Sequence, residues 1–382
     1  MTDVHVDGVC DDRYARMRAT FEQNFSARDE LGAAVCVYAD GRKVVDLWGG
    51  HLDPARQVPW VEDTVVCMAS VTKGMTALCL HLLVERGEVD LDAPMARYWL
   101  AFAQAGKAAI TVRQTVGHKD GMIYNDAASA GDWLDRDRIA AAIAAQAPAW
   151  EPGTRGAYNS FNYGYLLGEI IRRVDGRTPG EFFRDEIALP LDIDYRIGVP
   201  EQDLDRVSNL YPNPESTTLN AFRDPATKLA RAWHSLPADT GELGPLNLRD
   251  YRTGDFPSGN GIGNARAVAK VFAALAGGGS VDGIRLWQPD TVERMREEQW
   301  DGICGLTDRP FRMGLGLFLN SPPLLSMGPN ARAFGHMGAG GAFAFADPEA
   351  GLAFAYSPNF MCEGAGVGAR CDALVDALYA DA

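Results

Sequence analysis

The chain has 382 residues, of which 47% are hydrophobic and 23% are charged. This is enough apolar sequence for a large core, in one composite domain or in two. The formal net charge of −15 at pH 7 repels nucleic acid and anionic membrane surfaces, so we expect neither as a partner.

Cysteine usage and the first residues favour a reducing compartment. The seven cysteines are odd in number, scattered, and without a C-x-x-C pair, which argues against a disulfide framework or a zinc site. The first seven residues lack the basic and apolar regions of a signal peptide, and no run of 18 apolar residues occurs. We therefore expect a cytoplasmic protein with free thiols.

Hydrophobic periodicity and turn residues predict the elements of the first half of the chain. Two β-rich runs flank Asp40-Gly41, a pair typical of a tight hairpin turn. In order, the predicted elements are a helix over 11–26, strands over 31–38 and 43–48, a loop over 51–66, a helix from 70 to about 85, a short helix over 110–116 and an alanine-rich helix over 132–147.

The second half begins helical and ends in strands. Residues 201–257 are rich in Pro, Asp and Asn with little periodicity, so we expect a long, partly ordered segment over the helical region. The other predicted elements are helices over 163–174, 265–275 and 289–298, strands over 311–319, 333–340, 342–346 and 352–356, and a closing helix over 370–379.

Strands at both chain ends predict one antiparallel sheet with the helices inserted as a second lobe. We expect residues 1–66 and 285–382 to form an α/β lobe, and residues 67–284 to form a mostly helical lobe. A crevice between two such lobes is a common place for a ligand site.

Ser70 and Lys73 are the first candidate catalytic residues. They stand three residues apart at the start of the long predicted helix, so their side chains share one face. A serine hydroxyl needs a base within hydrogen-bond reach, and a lysine is such a base when burial lowers its pKa. Because a capping serine at a solvated helix start has the same spacing, the motif needs partners elsewhere.

Tyr158 and the segment Phe334–Gly341 supply candidate partners. Tyr158 follows a Pro-Gly turn; beside a lysine ammonium the pKa of its phenol would fall, so that it could take the serine proton and return it. Glycine density in Phe334–Gly341 indicates close approach to the strand backbone, which can offer an N–H to an oxyanion. His336 has two open interpretations, a group that contacts substrate or tunes the base, and a structural histidine.

With these motifs in order, the chain resembles the serine β-lactamase and penicillin-binding-protein superfamily. Within it, the sequence is most similar to class C β-lactamases and family VIII carboxylesterases. Ser70-Val-Thr-Lys73 matches the first motif, and Tyr158-Asn-Ser160 matches the Tyr-x-Asn or Tyr-x-Ser motif. His336-Met-Gly338 stands where the family has Lys-Thr-Gly. The resemblance covers about residues 15–375.

The resemblance implies a β-lactamase/transpeptidase-like α+β fold and a covalent acyl-enzyme, with no metal or organic cofactor. Ser70 would be the nucleophile, Lys73 and Tyr158 the general base pair, and the N–H groups of Ser70 and Ala339 the oxyanion hole. The residues expected to contact the substrate or line its pocket are His336, Gly338, Ser160, Tyr124 and Trp150.

Departures from the family pattern favour an ester over a β-lactam. His336 replaces the lysine that helps hold a β-lactam carboxylate, and Met337 replaces the neighbouring threonine. Tyr158 is followed by Asn159 and Ser160 instead of ending the motif in asparagine, the residue that normally orients the substrate amide. Without the lysine, this motif attracts an anionic substrate group less strongly, which suits a neutral ester. An ester also has a better leaving group than an amide.

Other signatures are missing or weak. The chain has no Gly-x-Ser-x-Gly, no His-Glu-x-x-His and no Walker motif. Residues 364–369 faintly resemble a dinucleotide fingerprint, but the 13 residues that follow are too few for a βαβ unit. The sequence therefore predicts a serine carboxylesterase for small-molecule esters. Two alternatives stay open: a β-lactamase or D-amino-peptidase-like amidase of the same superfamily, and a relative that is acylated as a sensor without turnover.

Overall fold

A computed structural model of the chain describes residues 4–364 and 366–381. Within these ranges the strands are β1 (Val6–Cys10), β2 (Gly32–Ala39), β3 (Arg42–Gly50), β4 (Val65–Cys67), β5 (Tyr195–Ile197), β6 (Val207–Ser208), β7 (Gly261–Gly263), β8 (Ser280–Val281), β9 (Ile284–Arg285), β10 (Trp300–Ile303), β11 (Pro310–Met313), β12 (Phe318–Leu319), β13 (Phe334–Met337), β14 (Phe343–Asp347) and β15 (Leu352–Pro358).

Helices in the same ranges lie mainly between β3 and β10. They are α1 (Ala15–Ala27), α2 (Val71–Glu85), α3 (Val112–Val116), α4 (Arg136–Ala145), α5 (Tyr163–Asp175), α6 (Pro179–Phe183), α7 (Leu189–Leu191), α8 (Thr217–Arg223), α9 (Lys228–Ala232), α10 (Arg249–Thr253), α11 (Ala265–Ala276), α12 (Pro289–Met295) and α13 (Gly368–Asp381). Short 3-10 turns cover Asp12–Tyr14, Met95–Arg97, Leu100–Ala103, Asp132–Leu134, Glu201–Arg206 and Pro245–Asn247, and a π turn covers Arg184–Ala188.

Both ends of the chain build one nine-stranded antiparallel sheet, as predicted. Its strand order is β1-β3-β2-β15-β14-β13-β12-β11-β10. The first and last thirds of the sequence meet at the β2–β15 pair, where Val35 lies opposite Tyr356. The predicted hairpin is β2–β3, and its turn residues Asp40 and Gly41 have φ of 48° and 74°, the left-handed conformation that a tight hairpin turn needs.

Several element boundaries differ from the prediction. The helix expected over 289–298 ends at Met295, and β10 follows it at the edge of the sheet. The strand expected over 311–319 is divided into β11 and β12, because the chain turns at Gly316, where φ is 88°. Strand β1 was not predicted, since a short strand that contains Asp7 and Gly8 carries almost no apolar pattern.

A buried ion pair ties the two chain ends together. Arg370 in α13 donates to Glu30 at 2.8 Å, and the Tyr356 hydroxyl of β15 donates to the other Glu30 carboxylate oxygen. Glu30 is fully buried and Arg370 is 6% exposed. Helices α1 and α13 pack against each other beside this cluster, so the terminal helices hold the strands of both ends in register.

Helices α2 and α11 connect the sheet to the rest of the chain. Helix α2 contacts α5 on one side and β13 on another, and almost all of its residues are buried. Helix α11 belongs to the range 67–284 that was predicted to form the helical lobe, but it packs on β2, β14 and β15 of the sheet. The lobe boundaries at residues 66 and 284 stay a prediction. No helix in the described part of the chain is long and apolar enough to cross a bilayer.

Candidate active site

Ser70 stands at a turn between a strand and the buried helix α2. Strand β4 pairs with β6 and β7 and ends at Cys67. The chain then turns through Ala69, whose φ of 45° is left-handed, a conformation that costs energy in a non-glycine residue. Ser70 follows with helical dihedral angles, and its side chain makes no capping hydrogen bond. The hydroxyl is thus available for chemistry.

Lys73 lies one helical turn further along α2, fully buried beside Ser70. Its Nζ is 3.1 Å from Ser70 Oγ and donates to the backbone oxygen of Ser258 at 2.7 Å. No carboxylate within the described ranges lies within ion-pair distance of this amine. Burial without a counter-charge lowers the pKa of Lys73 well below its usual value. A neutral amine in this position can accept the serine proton.

Tyr158 approaches the same hydroxyl from the loop before α5. Its phenol lies beside the Ser70 side chain, and Lys73 Nζ is 5.2 Å from the centre of its ring. The expected fall in the pKa of Tyr158 is wrong: burial raises this pKa above its usual value. The physical reason is that desolvation also favours the neutral form of Lys73, so no ammonium stabilises a phenolate. Burial therefore favours the uncharged form of both groups, the phenol of Tyr158 and the free amine of Lys73.

Two backbone N–H groups lie at this site, that of Ser70 itself and that of Ala339. Neither the N–H of Ser70 nor that of Ala339 donates to an acceptor among the described residues. The end of β13 lies close to the serine turn, since a Cβ placed on Gly338 would come within 2.2 Å of Met68 O and 3.3 Å of Ser70 N. Glycine at position 338 therefore permits this close approach, and the role of the two N–H groups as an oxyanion hole stays a prediction.

His336 lies behind this site and outside the described cavity walls. It is fully buried, its Nδ1 is 2.7 Å from Met337 O, and its Nε2 has no partner. Burial lowers the pKa of His336 to about 3, so the imidazole is neutral at ordinary pH. It contacts the aromatic cluster around Tyr158, at 6.0 Å between ring centroids. Contact between His336 and the substrate stays a prediction, and the buried position of the ring does not support it.

His118 and Ser258 also belong to the surroundings of the site, and the sequence analysis did not single them out. The His118 ring stacks on Tyr163 at 4.2 Å, and its Nδ1 accepts the Asn159 N–H at 3.0 Å. Ser258 contributes its backbone oxygen to Lys73. The sequence feature that could have indicated Ser258 is the glycine-dense run that it begins, Ser258–Gly263. The sequence around His118 contains no comparable feature.

Two cavities meet at Ser70. The larger, about 350 Å³, has a wall with several polar and charged groups, and we call it the polar cavity. The smaller, about 240 Å³, is mostly aliphatic and aromatic, and we call it the apolar cavity. Both are lined by Ser70, Ala339, Phe222 and Trp233.

The segment 201–257 builds much of the walls of both cavities. Phe222 and Trp233 stand edge to face at 5.0 Å and separate the two spaces. Trp233 Nε1 donates to Ser160 Oγ at 2.8 Å, so the predicted Ser160 does line the polar cavity with its hydroxyl already bound to the indole. The expectation that this segment covers the helical region is consistent with this placement, but its role in the site was not foreseen.

Tyr124 and Trp150 lie away from both cavities. The guanidinium of Arg231 sits 3.9 Å above the Tyr124 ring, and that of Arg155 sits 5.1 Å from the Trp150 ring. Neither aromatic residue is part of the cavity walls that the structure describes, so their role in lining the substrate pocket stays a prediction. Across the described residues, no group of three His, Cys, Asp or Glu side chains is arranged to hold a metal ion.

An antiparallel sheet from both chain ends, with a Ser-x-x-Lys helix buried against it, defines the β-lactamase/transpeptidase-like class of α+β proteins. Comparison with known families agrees, because the family described as Beta-lactamase matches residues 18–374. The chain belongs to the beta-lactamase family. The resemblance and the fold class inferred from the sequence are both confirmed.

Similar proteins carry esterase and penicillin-binding names. A relative named Esterase/beta-lactamase LipL, from Mycobacterium tuberculosis, is 35% identical over 366 residues, covering 93% of this chain and 83% of its own. A solved structure described as a family VIII carboxylesterase has a TM-score of 0.90 at 34% identity, covering 99% of this chain and 100% of its own. A penicillin-binding protein homologue from Caulobacter crescentus has a TM-score of 0.90 at 37% identity, with the same coverage.

Proposed function

We propose that the chain is a serine carboxylesterase that hydrolyses small carboxylic esters through a covalent acyl-enzyme on Ser70. The chain is a hydrolase of the beta-lactamase family, as its esterase-named relative and the family VIII carboxylesterase structure indicate. The observation that carries the finer proposal is the meeting of a buried amine and a phenol at one hydroxyl. Lys73 Nζ lies 3.1 Å from Ser70 Oγ, and the Tyr158 phenol lies beside the same residue.

Acylation begins with transfer of the Ser70 proton to the neutral amine of Lys73. Ser70 Oγ attacks the ester carbonyl carbon, and the negative charge that develops on the carbonyl oxygen is held by the N–H groups of Ser70 and Ala339. The tetrahedral intermediate collapses and the bond to the alcohol oxygen breaks. Tyr158 donates its hydroxyl proton to that oxygen and recovers one from the Lys73 ammonium. The products of this step are the free alcohol and the acyl-serine.

Deacylation repeats these transfers with water as the nucleophile. The water gives a proton to the Lys73–Tyr158 pair while its oxygen attacks the acyl carbon. The bond to Ser70 Oγ then breaks and the serine regains a proton, which releases the carboxylic acid. The low pKa of Lys73 and the high pKa of Tyr158 suit this cycle, because both groups start in the protonation state that each step needs.

The surroundings of Gly338 support an ester substrate over a β-lactam. His336 stands where the family has a lysine that holds a carboxylate, and its pKa of about 3 leaves it uncharged. It is also fully buried. The name of the Mycobacterium tuberculosis relative includes both activities, so β-lactam hydrolysis is the second candidate function.

Parallel assays with p-nitrophenyl butyrate and nitrocefin test this proposal. We expect ester turnover that greatly exceeds β-lactam turnover, and complete loss of both in Ser70→Ala. Ser357→Ala is a matched control, because Ser357 is a buried serine in the middle of the sheet, and it should keep wild-type activity. Ester hydrolysis by Ser70→Ala would overturn the proposal. Nitrocefin turnover above ester turnover would favour the β-lactamase, and a stable adduct without turnover would favour the sensor.

A further inference from the structure

The position of Tyr158 assigns the two halves of an ester to the two cavities. During acylation the alcohol oxygen must receive a proton, and in the proposed function Tyr158 supplies it. Tyr158 lines the polar cavity and is not part of the described wall of the apolar cavity. The alcohol half must therefore leave through the polar cavity, and the acyl half occupies the apolar cavity. This step rests on the proposed function.

The polar cavity contains a half-buried cation without a counter-charge. Arg309, in the turn between β10 and β11, lines this cavity and donates to the Thr217 hydroxyl at 3.1 Å. Of the carboxylates that the structure describes, none lies within ion-pair distance of Arg309. The adjacent Asp308 is bound instead to Lys228, at 2.7 and 2.9 Å. Partial burial of an unpaired guanidinium is unfavourable, and binding of an anionic ligand would reduce this cost.

A second polar group beside Arg309 also lacks a partner. Thr307 lines the same cavity, and its buried hydroxyl makes no hydrogen bond in the described structure. A planar guanidinium with a neighbouring hydroxyl is a typical arrangement for a carboxylate or a phosphate, both of which accept several hydrogen bonds.

The apolar cavity has the opposite character. Its one charged wall residue among those described is Arg223, which is solvent-exposed, so its field is screened. The remaining wall is dominated by these apolar residues: Leu210, Leu219, Phe222, Leu236, Leu243, Leu246 and Met361.

We propose that Arg309 binds an oxyanion group on the alcohol half of the substrate, while the apolar cavity holds the acyl half. The substrate class is an ester of an apolar carboxylic acid with an alcohol or phenol that carries a carboxylate or a phosphate. This refines the expectation of a neutral ester: the Lys-Thr-Gly position carries no charge here, and the cation stands in a different wall of the site. Arg309 is thus a specificity-determining residue for the leaving alcohol.

Matched butyrate esters test this assignment directly. The substrates are 4-carboxyphenyl butyrate, 4-phosphooxyphenyl butyrate and the neutral 4-carbamoylphenyl butyrate, compared in wild type, Arg309→Gln and Arg309→Lys. We expect Arg309→Gln to lower kcat/KM for at least one anionic ester by about 10- to 100-fold, the usual effect of losing a charge-assisted hydrogen bond. The neutral ester should change less than about threefold, and Arg309→Lys should recover part of the loss. Arg223→Gln, which removes an exposed arginine from the other cavity, should leave the preference intact.

Deacylation supplies a readout that a structural role of Arg309 would not explain. Once the alcohol has left, all three substrates give the same butyryl-enzyme, so Arg309→Gln should leave the deacylation rate unchanged. Leu246→Trp, which fills the apolar cavity, should instead slow hydrolysis of longer acyl chains and alter deacylation. Wild type that hydrolyses all three esters without preference would overturn the inference alone. Equal losses on charged and neutral esters, or a changed deacylation rate in Arg309→Gln, would also overturn it. No hydrolysis of any ester would overturn the proposed function as well.

Discussion

Replacing Tyr158 by phenylalanine removes one hydroxyl from the site and little else. The ring packs against Phe318 at 5.5 Å and His118 at 5.3 Å between centroids, and phenylalanine keeps both contacts. The hydroxyl lies beside Ser70 and is the proposed proton donor, so its loss interrupts proton transfer to the leaving alcohol. A positioned acid–base group contributes about 10²–10⁴-fold, equivalent to roughly 3–5 kcal/mol of barrier. We expect kcat/KM for ethyl butyrate, whose alkoxide needs a proton to leave, to fall by that factor, with the melting temperature nearly unchanged.

Tyr163→Phe is the matched control for this variant. Tyr163 is also a fully buried tyrosine, but its hydroxyl donates to Val116 O at 3.1 Å, away from Ser70. Its loss should cost about 1 kcal/mol of stability and leave kcat/KM within about threefold of wild type. The role given to Tyr158 is refuted if Tyr158→Phe keeps more than about a third of wild-type activity, or if both variants lose activity equally.

The remaining predictions concern the base, the oxyanion hole and the terminal ion pair. The rate of ester hydrolysis should rise with pH, with a midpoint well below pH 10.5, because only the neutral amine of Lys73 accepts the serine proton. His336→Gln should leave that midpoint unchanged in a pH–rate profile, since the pKa of His336 is about 3. Gly338→Ala should lower kcat by about 10²-fold or more, because the new Cβ would lie 2.2 Å from a backbone oxygen and displace one oxyanion donor. Unchanged turnover would contradict the proposed oxyanion hole. Arg370→Met should destabilise the fold by about 3–5 kcal/mol in urea titrations, since it leaves Glu30 buried without its partner, and adding Glu30→Gln should restore much of the loss.

Local signals explain why much of the fold could be predicted. Asp40-Gly41 marks the hairpin because few other pairs tolerate its turn, and α5 and α11 follow a clear apolar stripe that ends at glycine. Strand β10 was missed because its edge position leaves alternate residues exposed, so its sequence carries a weak pattern. The irregular course of residues 201–257 depends on contacts with distant parts of the chain, such as the Arg231–Asp126 ion pair, which no local pattern encodes.

The candidate site also contains features that the sequence could indicate and features that depend on the fold. Ser70, Lys73 and Tyr158 could be proposed from the sequence because side-chain chemistry and spacing are visible in it, and the structure places them side by side. The backbone oxygen of Ser258 was not found, because every residue carries such an atom. The direction of the pKa shift of Tyr158 was also missed, since it depends on burial, which can be measured only in the folded chain.

The pairing of β2 with β15 has a consequence for biosynthesis. Ala39 lies opposite Leu352, about 310 positions later in the chain. At about 5–20 residues per second, a ribosome needs roughly 15–60 s to deliver the second strand after the first has emerged. Throughout that interval the nascent hairpin exposes the unpaired edge of β2, whose residues are mostly apolar and which is prone to association with other chains. A chain truncated before residue 352 would never close this edge, so we expect it to aggregate or be degraded.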